Sequence, residues 1–371
     1  MGWIRHNPEK YLARRRITEV PDNLIRSHPI PEVIRMATVL SGSGPIASDL
    51  AWERTEWWFD RLVAAQDLHG AAAVYGYEHA ALRTFQSIKS SGGRCVYEMP
   101  ICHHKTMSEL LDPEFEKFPQ ARTSYTRHLQ RLAPRRNIRK DAELKLADRI
   151  IVNSGFTKRS LINAGVPESK ITVIPLGAPP VLAPRDRLRK EPFIFLSAGT
   201  QSVRKGTHYL LSAWRRLSPD RLAQLWMVGP MLLPKRLIAD LPGTVVIRDS
   251  ASMEKLSDIY RRSSVLVFPS LCEGFGMVIT EAMAHGLPVI TTPNTAGPEL
   301  IRHGENGFII PIRDADRLAE TMQWCLSHPE ETAQIGRRAA DTAAGWQWAD
   351  YRRAFGTVLS EFMSVPSSGS A

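Results

Sequence analysis

The sequence predicts an α/β chain of two domains, each built on a parallel sheet. Three observations lead there. Short β-branched and aromatic runs without polar alternation recur, as in Phe193–Ser197 and Val265–Phe268, and such runs suit strands buried on both faces. Amphipathic helical stretches separate them, giving the strand, helix, strand order of a parallel sheet. Pro175, Gly177, Pro179, Pro180 and Pro184 crowd one segment that ends in Arg185-Asp-Arg-Leu-Arg-Lys190, an interdomain linker by composition. With 371 residues the chain is long enough for a core on each side of that linker.

The elements follow in order. Trp3-Ile-Arg-His-Asn-Pro8, Tyr11-Leu12 and Arg14-Arg15-Arg16 read as helical or irregular, and Gly42-Ser-Gly44-Pro45 as a linker. Residues 46–68 hold Leu50, Trp57, Trp58, Leu62 and Val63 among charged neighbours, a helix with a broad apolar face. The Trp57-Trp58 pair reads as core packing. A strand over Ala71–Glu78, a helix through Ile88 and a strand over Arg94–Met99 come next, then a strand over Asp148–Asn153 and a helix over Phe156–Ala164 closed by Gly165. Ile171–Ile174 is a further strand. Beyond the linker, strands are expected at Phe193–Ser197, Gln224–Val228, Thr244–Ile247, Val265–Phe268, Pro288–Thr291 and Phe308–Ile312, with a helix over Leu318–Cys325. The domains are thus 1–180 and 192–348, with 181–191 between them. A disordered tail over 365–371 closes the chain.

Bulk composition narrows the function. No apolar stretch approaches the roughly 20 residues that cross a bilayer, and the first residues lack the layout of a signal peptide, so a cytoplasmic protein is expected. Cys95, Cys102, Cys272 and Cys325 show no paired spacing and are expected as reduced thiols; Cys102 with His103 and His104 is the weak metal-cluster alternative. A net charge of +10 favours an anionic partner. Arg122, Arg127, Arg131, Arg135, Arg136, Arg139 and Lys140 precede any acid until Asp141, a stretch read either as a face for anionic membrane or as a solvated helix. Pro134 argues against one continuous helix there. Nucleic acid is not expected, since no finger, zipper or RNP-like motif occurs.

The chemistry lies in Phe268-Pro-Ser-Leu-Cys-Glu273-Gly-Phe-Gly-Met-Val-Ile-Thr-Glu281. A buried strand runs into a turn where Gly274 and Gly276 permit close approach to a ligand, and the following helix offers its amides and dipole to an anion such as a diphosphate. Glu281 falls about one and a half turns into that helix, roughly 7–8 Å along its axis. Two carboxylates so spaced suit hydroxyls on either side of a diphosphate, those of a sugar and a ribose. The segment resembles the signature of retaining glycosyltransferase family 4, whose members carry two glutamates separated by seven residues, here Glu273 and Glu281. The resemblance continues through Thr292-Pro-Asn-Thr-Ala-Gly297-Pro-Glu299, Gly304-Glu-Asn-Gly307-Phe-Ile-Ile-Pro311, Arg204-Lys205-Gly206 and Ala147–Ser154.

That resemblance implies a GT-B fold, two Rossmann-like domains facing a cleft, with the last helix, about 349–364, crossing back to brace the first. It also implies that the amino-terminal domain lacks its opening strand, since nothing near Met1 looks like one; a sheet with an exposed edge and an incomplete acceptor pocket would follow. Site roles come from the same source. Glu273 contacts the transferred sugar, and Glu281 the ribose. The backbone of Gly274, Phe275, Gly276, Met277 and Val278 cradles the donor. Arg204 and Lys205 compensate the departing diphosphate, so no metal is required. Thr200 stands where the family commonly has arginine, and Arg204 is expected to supply that charge. His103, or His104, occupies the general place of a histidine near the reacting sugar. Asp314-Ala-Asp316 is similar to the metal motif of the other major glycosyltransferase fold, but its place before a helix predicts capping.

The expected activity is transfer of a hexose from a nucleotide sugar to a glycan or lipid-linked acceptor in cell-envelope polysaccharide biosynthesis, without cofactor. A glycoside hydrolase would leave Arg204 and Lys205 without a task. A disaccharide phosphorylase of the same architecture and a truncated, donor-binding, non-catalytic protein are the alternatives.

Overall fold

A computed structural model describes residues 20–68, 70–182, 192–217, 223–249 and 251–364. The readings of Trp3–Arg16, of most of the 181–191 linker and of the 365–371 tail fall outside the described residues. Described in chain order, the helices of two turns or more are α1 (Pro29–Leu40), α2 (Gly44–Ala64), α3 (Leu82–Ser90), α4 (His104–Lys117), α5 (Ser124–Leu146), α6 (Gly155–Asn163), α7 (Thr207–Leu217), α8 (Met253–Arg262), α9 (Met277–Ala284), α10 (Ala315–Ser327), α11 (Pro329–Ala344) and α12 (Trp348–Ser364). The strands are β1 (Ala73–Tyr77), β2 (Arg94–Met99), β3 (Arg149–Val152), β4 (Ile171–Val173), β5 (Phe193–Ala198), β6 (Ala223–Val228), β7 (Thr244–Arg248), β8 (Val265–Phe268), β9 (Val289–Thr291) and β10 (Phe308–Ile309). They make two sheets, of four and six strands. Among the described residues β1 is the first strand, and Gly42-Ser-Gly44 lies between α1 and α2. None of the described helices is long and apolar enough to cross a membrane.

The chain forms two compact units. One contains the described residues through Tyr97 together with Ser124–Asp148. Its α2 presents Asp49, Glu53, Glu56 and Asp60 at helical spacing, and α5 answers with bases. Arg136 pairs with Asp49 and Glu53, Arg135 with Glu53, Arg139 with Asp60 and Glu143, and His128 with Asp49. Asp60 and Glu143 also cap α3: Asp60 accepts the amides of Arg83 and Thr84, and Glu143 those of Ala81 and Leu82.

Two expectations are corrected here. α5 runs unbroken through Pro134 for 23 residues, because ion pairs on both sides of the proline hold the helix against α2 despite its lost amide bond. The basic stretch is also not simply a solvated or membrane-facing surface. Arg135, Arg136, Arg139 and Lys140 are paired with carboxylates of this unit, while Arg122, Arg127 and Arg131 are exposed, as is the paired Arg135. The tryptophans part company too: Trp57 lies against the Arg135 and Arg139 guanidiniums, 5.0 and 5.2 Å from its ring centre, whereas Trp58 is 40% exposed.

The other unit holds Glu98–Thr123 and the described residues from Arg149 onward. β3 and β4 pair in parallel, Ile150 opposite Ile171. The six-stranded sheet is parallel throughout in the order β10-β9-β8-β5-β6-β7. Side chains alternate between its two faces. Phe195, Leu225, Met227, Val265 and Val267 pack with α7 and α10, while Ile194, Leu196, Trp226, Leu266 and Phe268 pack with α8, α9 and α11. Strand order reverses between β5 and β8. In an open parallel sheet that switch point leaves a crevice beyond the carboxyl ends of the two strands, where ligands bind. The loops leaving it are 199–206 and 269–276.

Candidate active site

These two loops are tied together before any side chain is considered. The Arg204 carbonyl accepts the Leu271 amide at 2.9 Å and the Ser270 hydroxyl at 3.2 Å. A third segment braces them: Thr292 donates to the Ser270 carbonyl at 2.6 Å and Asn294 to that of Leu271 at 2.8 Å, while the Glu273 amide donates to the Asn294 carbonyl at 2.9 Å. The Thr292-Pro-Asn-Thr295 motif thus positions Glu273.

Glu273, Arg204 and Lys205 converge. Arg204 Nη1 donates to the Glu273 carboxylate at 2.9 Å and to the Cys272 carbonyl at 3.1 Å, and Lys205 Nζ donates to the same carboxylate oxygen. Lys205 Nζ also lies 4.8 Å from the Phe268 ring centre. Burial would raise the Glu273 carboxyl, but the two cations hold it below the usual glutamate range. Burial pulls the Lys205 ammonium down from the usual lysine value, and Arg204 adds to this against the opposing pull of Glu273. Two cations and one carboxylate leave one positive charge in excess, which a second anion would balance. Arg204 and Lys205 thus share one carboxylate oxygen.

In the turn after Glu273, a methyl group on Gly274 would lie 1.6 Å from the Pro100 carbonyl oxygen, so the space a side chain would take there is filled by the chain itself. Gly276 has φ +90 and stands before α9 with no side-chain cap, so the amides that open α9 have no side-chain acceptor there. Phe275 is buried, and its carbonyl accepts the Ala296 amide at 2.9 Å; Met277 is exposed and Val278 half-buried.

Glu281 lies further along α9, and Tyr260 of α8 donates to its carboxylate at 2.8 Å. Burial first, and the Glu281 charge next, push the Tyr260 phenol well above its usual value, so it remains a donor. His285 stacks on Tyr260 and contacts the Glu281 carbonyl through Nδ1 at 2.7 Å and Ser257 through Nε2 at 2.9 Å. Tyr260 is absent from the sequence reading, because an aromatic residue 21 positions upstream gives no local signal of where its hydroxyl points.

His103 begins α4. Its Nδ1 accepts the Lys105 amide at 3.3 Å, its own amide donates to Ser160 Oγ at 2.9 Å, and its ring packs on His104 at 4.1 Å. The buried ring thus caps a helix, with Nδ1 in the acceptor tautomer. The loop that carries it packs on that of Glu273 where Pro100 meets Gly274, and Thr157 Oγ1 of α6 donates to the Gly274 carbonyl. Asp314 caps α10 by accepting the Arg317 amide at 2.8 Å, as its position predicts. Glu299 accepts the Gly155 amide at 2.6 Å at the start of α6.

Comparison with known proteins adds to this geometry. Residues 192–328 match the family described as Glycosyl transferases group 1, and residues 103–181 match that described as Glycosyltransferase Family 4. An MMP alpha-(1->4)-mannosyltransferase of Mycolicibacterium hassiacum is 30% identical over 217 residues, 55% of this chain and 52% of that protein. A D-inositol 3-phosphate glycosyltransferase of Streptomyces scabiei is 36% identical over 121 residues, 32% of this chain and 26% of that protein. The chain spans from 25% to 62% of the length of these and other curated relatives it matches. Among solved structures, sucrose-phosphate synthase from Thermosynechococcus elongatus aligns with a TM-score of 0.62 at 19% identity, covering 86% of this chain and 79% of that one. Anabaena HepE in complex with UDP-glucose aligns with a TM-score of 0.59 at 22% identity, covering 81% of each chain. At these identities the structural likeness establishes the α/β GT-B fold.

Proposed function

This chain belongs to glycosyltransferase family 4, and from that premise we propose that it is a retaining, metal-independent transferase moving a hexose from a nucleoside-diphosphate sugar to a glycan or lipid-linked acceptor. The convergence of Arg204 and Lys205 on Glu273, at the uncapped start of α9, carries the reading. In the free protein the Glu273 carboxylate occupies the two cations. An incoming diphosphate takes its place on them and on the α9 amides, releasing Glu273 toward the sugar hydroxyls. Charge that develops on the departing phosphate is then met by groups already in position. Glu281, fixed by Tyr260, receives the ribose hydroxyls. The UDP-glucose bound to the Anabaena protein is a donor of this class.

His103 or His104 serves the sugar face, with Glu273 in a positioning and charge-stabilising role. The donor half is 192–348, and the acceptor half 1–180 with the last helix. The protein works on the cytoplasmic side in envelope polysaccharide biosynthesis, and any contact with anionic membrane falls to Arg122, Arg127 and Arg131. Thermal unfolding with UDP, GDP, ADP and their sugars tests the donor reading: a ligand at 100 times its dissociation constant stabilises by about 2.7 kcal/mol. A shift with one nucleotide, followed by transfer with unchanged anomeric configuration by NMR, is expected. Absence of any shift removes the donor reading, and inversion removes retention.

A further inference from the structure

Cys102 and Cys272 lie far apart in sequence, yet they share one small apolar cluster with Phe156, against Ile101, Met107 and Leu110. Neither is in a disulfide, and they are 1% and 0% exposed. A side-chain hydrogen bond with Cys102 is the foremost influence holding the Cys272 thiol below its usual range; burial and Glu273 oppose it, and Arg204 and Lys205 reinforce it. Cys95 and Cys325 differ, each pushed up to about 12 by burial. The loops carrying Cys102 and Cys272 also touch backbone to backbone where Gly274 meets Pro100.

We infer that Cys102 and Cys272 form a modification site, a thiol pair that a small peroxide converts to an intramolecular disulfide. The Cys272 thiolate attacks one peroxide oxygen, the O–O bond breaks, and water leaves behind a sulfenic acid. The Cys102 sulfur then attacks the Cys272 sulfur, the S–O bond breaks, and a second water departs. In sum two thiols lose two electrons and two protons, and one peroxide becomes two waters. The cross-link joins the residue before Glu273 to the residue before His103. Because Arg204 also holds the Cys272 carbonyl, the linked loop resists the rearrangement by which Arg204 and Lys205 exchange Glu273 for a diphosphate. That consequence rests on the proposed donor reading; the disulfide itself does not.

The test treats the full chain with hydrogen peroxide, blocks remaining thiols, and maps disulfides by mass spectrometry alongside titration with nucleoside diphosphates. The expected result is one peptide pair joined through Cys102 and Cys272, loss of nucleotide affinity, and recovery of both with dithiothreitol. Cys102→Ala, with Cys102→Ser as the second variant, should keep nucleotide affinity in peroxide. Failure of the native protein to form the link, while its unfolded thiols still oxidise, overturns the site. A linked protein with unchanged nucleotide affinity overturns its regulatory consequence. If the reduced protein binds no nucleotide, the donor reading fails, and the peptide map still decides the disulfide.

Discussion

Arg204 holds Glu273 by two routes, donating through Nη1 to its carboxylate at 2.9 Å and to the carbonyl of the preceding residue at 3.1 Å. The guanidinium therefore organises the loop and pairs its acid at once, whereas Lys205 reaches the carboxylate alone. Replacing each by alanine should separate these tasks. Hydrogen bonds to charged groups are worth about 1.5–3 kcal/mol, so Lys205→Ala should weaken nucleoside-diphosphate binding by about 10- to 150-fold at nearly unchanged Tm. Arg204→Ala should weaken binding and also lower Tm. Calorimetry with parallel thermal unfolding reads both, and equal Tm loss in the two variants would remove the distinction.

Binding should respond to pH through Lys205. Its ammonium titrates below the usual lysine value, and a bound diphosphate raises it again. Protons are then taken up on binding between the free and bound values, and affinity falls as pH rises through that window. Lys205→Arg stays charged and should lose the dependence. Binding enthalpy that is the same in buffers of different ionisation heat across this window would contradict the account.

Glu273 gives the opposite signature in stability. Its folded-state value is depressed, so its contribution is present above the unfolded value of about 4.5 and fades as pH falls through the folded one. The Tm gap between wild type and Glu273→Gln should accordingly narrow on acidification below about pH 4.5. A gap that widens there would mean that the pair does not stabilise the fold.

Tyr260→Phe should raise the nucleotide dissociation constant about 2- to 10-fold, the worth of one net hydrogen bond, by leaving Glu281 unfixed. In the Glu281→Gln background the same change should matter much less. Additive effects of the two substitutions would assign Tyr260 a packing role only.

In the smaller unit, Asp60→Ala removes one of the two buried carboxylates that pair with Arg139 and strips two amide caps from α3. Loss of about 3–5 kcal/mol in denaturant unfolding is expected. Reversal of Arg122, Arg127 and Arg131 to glutamate should spare Tm and abolish flotation with anionic liposomes; unchanged flotation removes the membrane reading.

Much of this was legible in the sequence, for local reasons. β5 and β8 fall where apolar runs place them, and Asp314 caps its helix as its position implies. The cluster of Arg204, Lys205 and Glu273 follows from loops leaving adjacent strands at the switch point. What escaped was pairing across distance. The fate of the α5 bases depended on the acids Asp49, Glu53 and Asp60, whose spacing on α2 was visible but whose facing partner was not. Tyr260 meeting Glu281, and Cys102 meeting Cys272, arise only once the sheet has brought separate loops together. The packing of Gly274 on the Pro100 carbonyl likewise leaves no trace in local sequence.

The central claim is that Arg204 and Lys205 hold Glu273 in place of a diphosphate. Isothermal titration of UDP, GDP and ADP into wild type, Lys205→Ala and Glu281→Gln tests it most directly. The account expects one nucleotide to bind wild type, to bind Lys205→Ala at least about tenfold more weakly through the lost phosphate contact, and to lose affinity in Glu281→Gln through the ribose. Binding of equal strength in all three proteins, or to none, would contradict it.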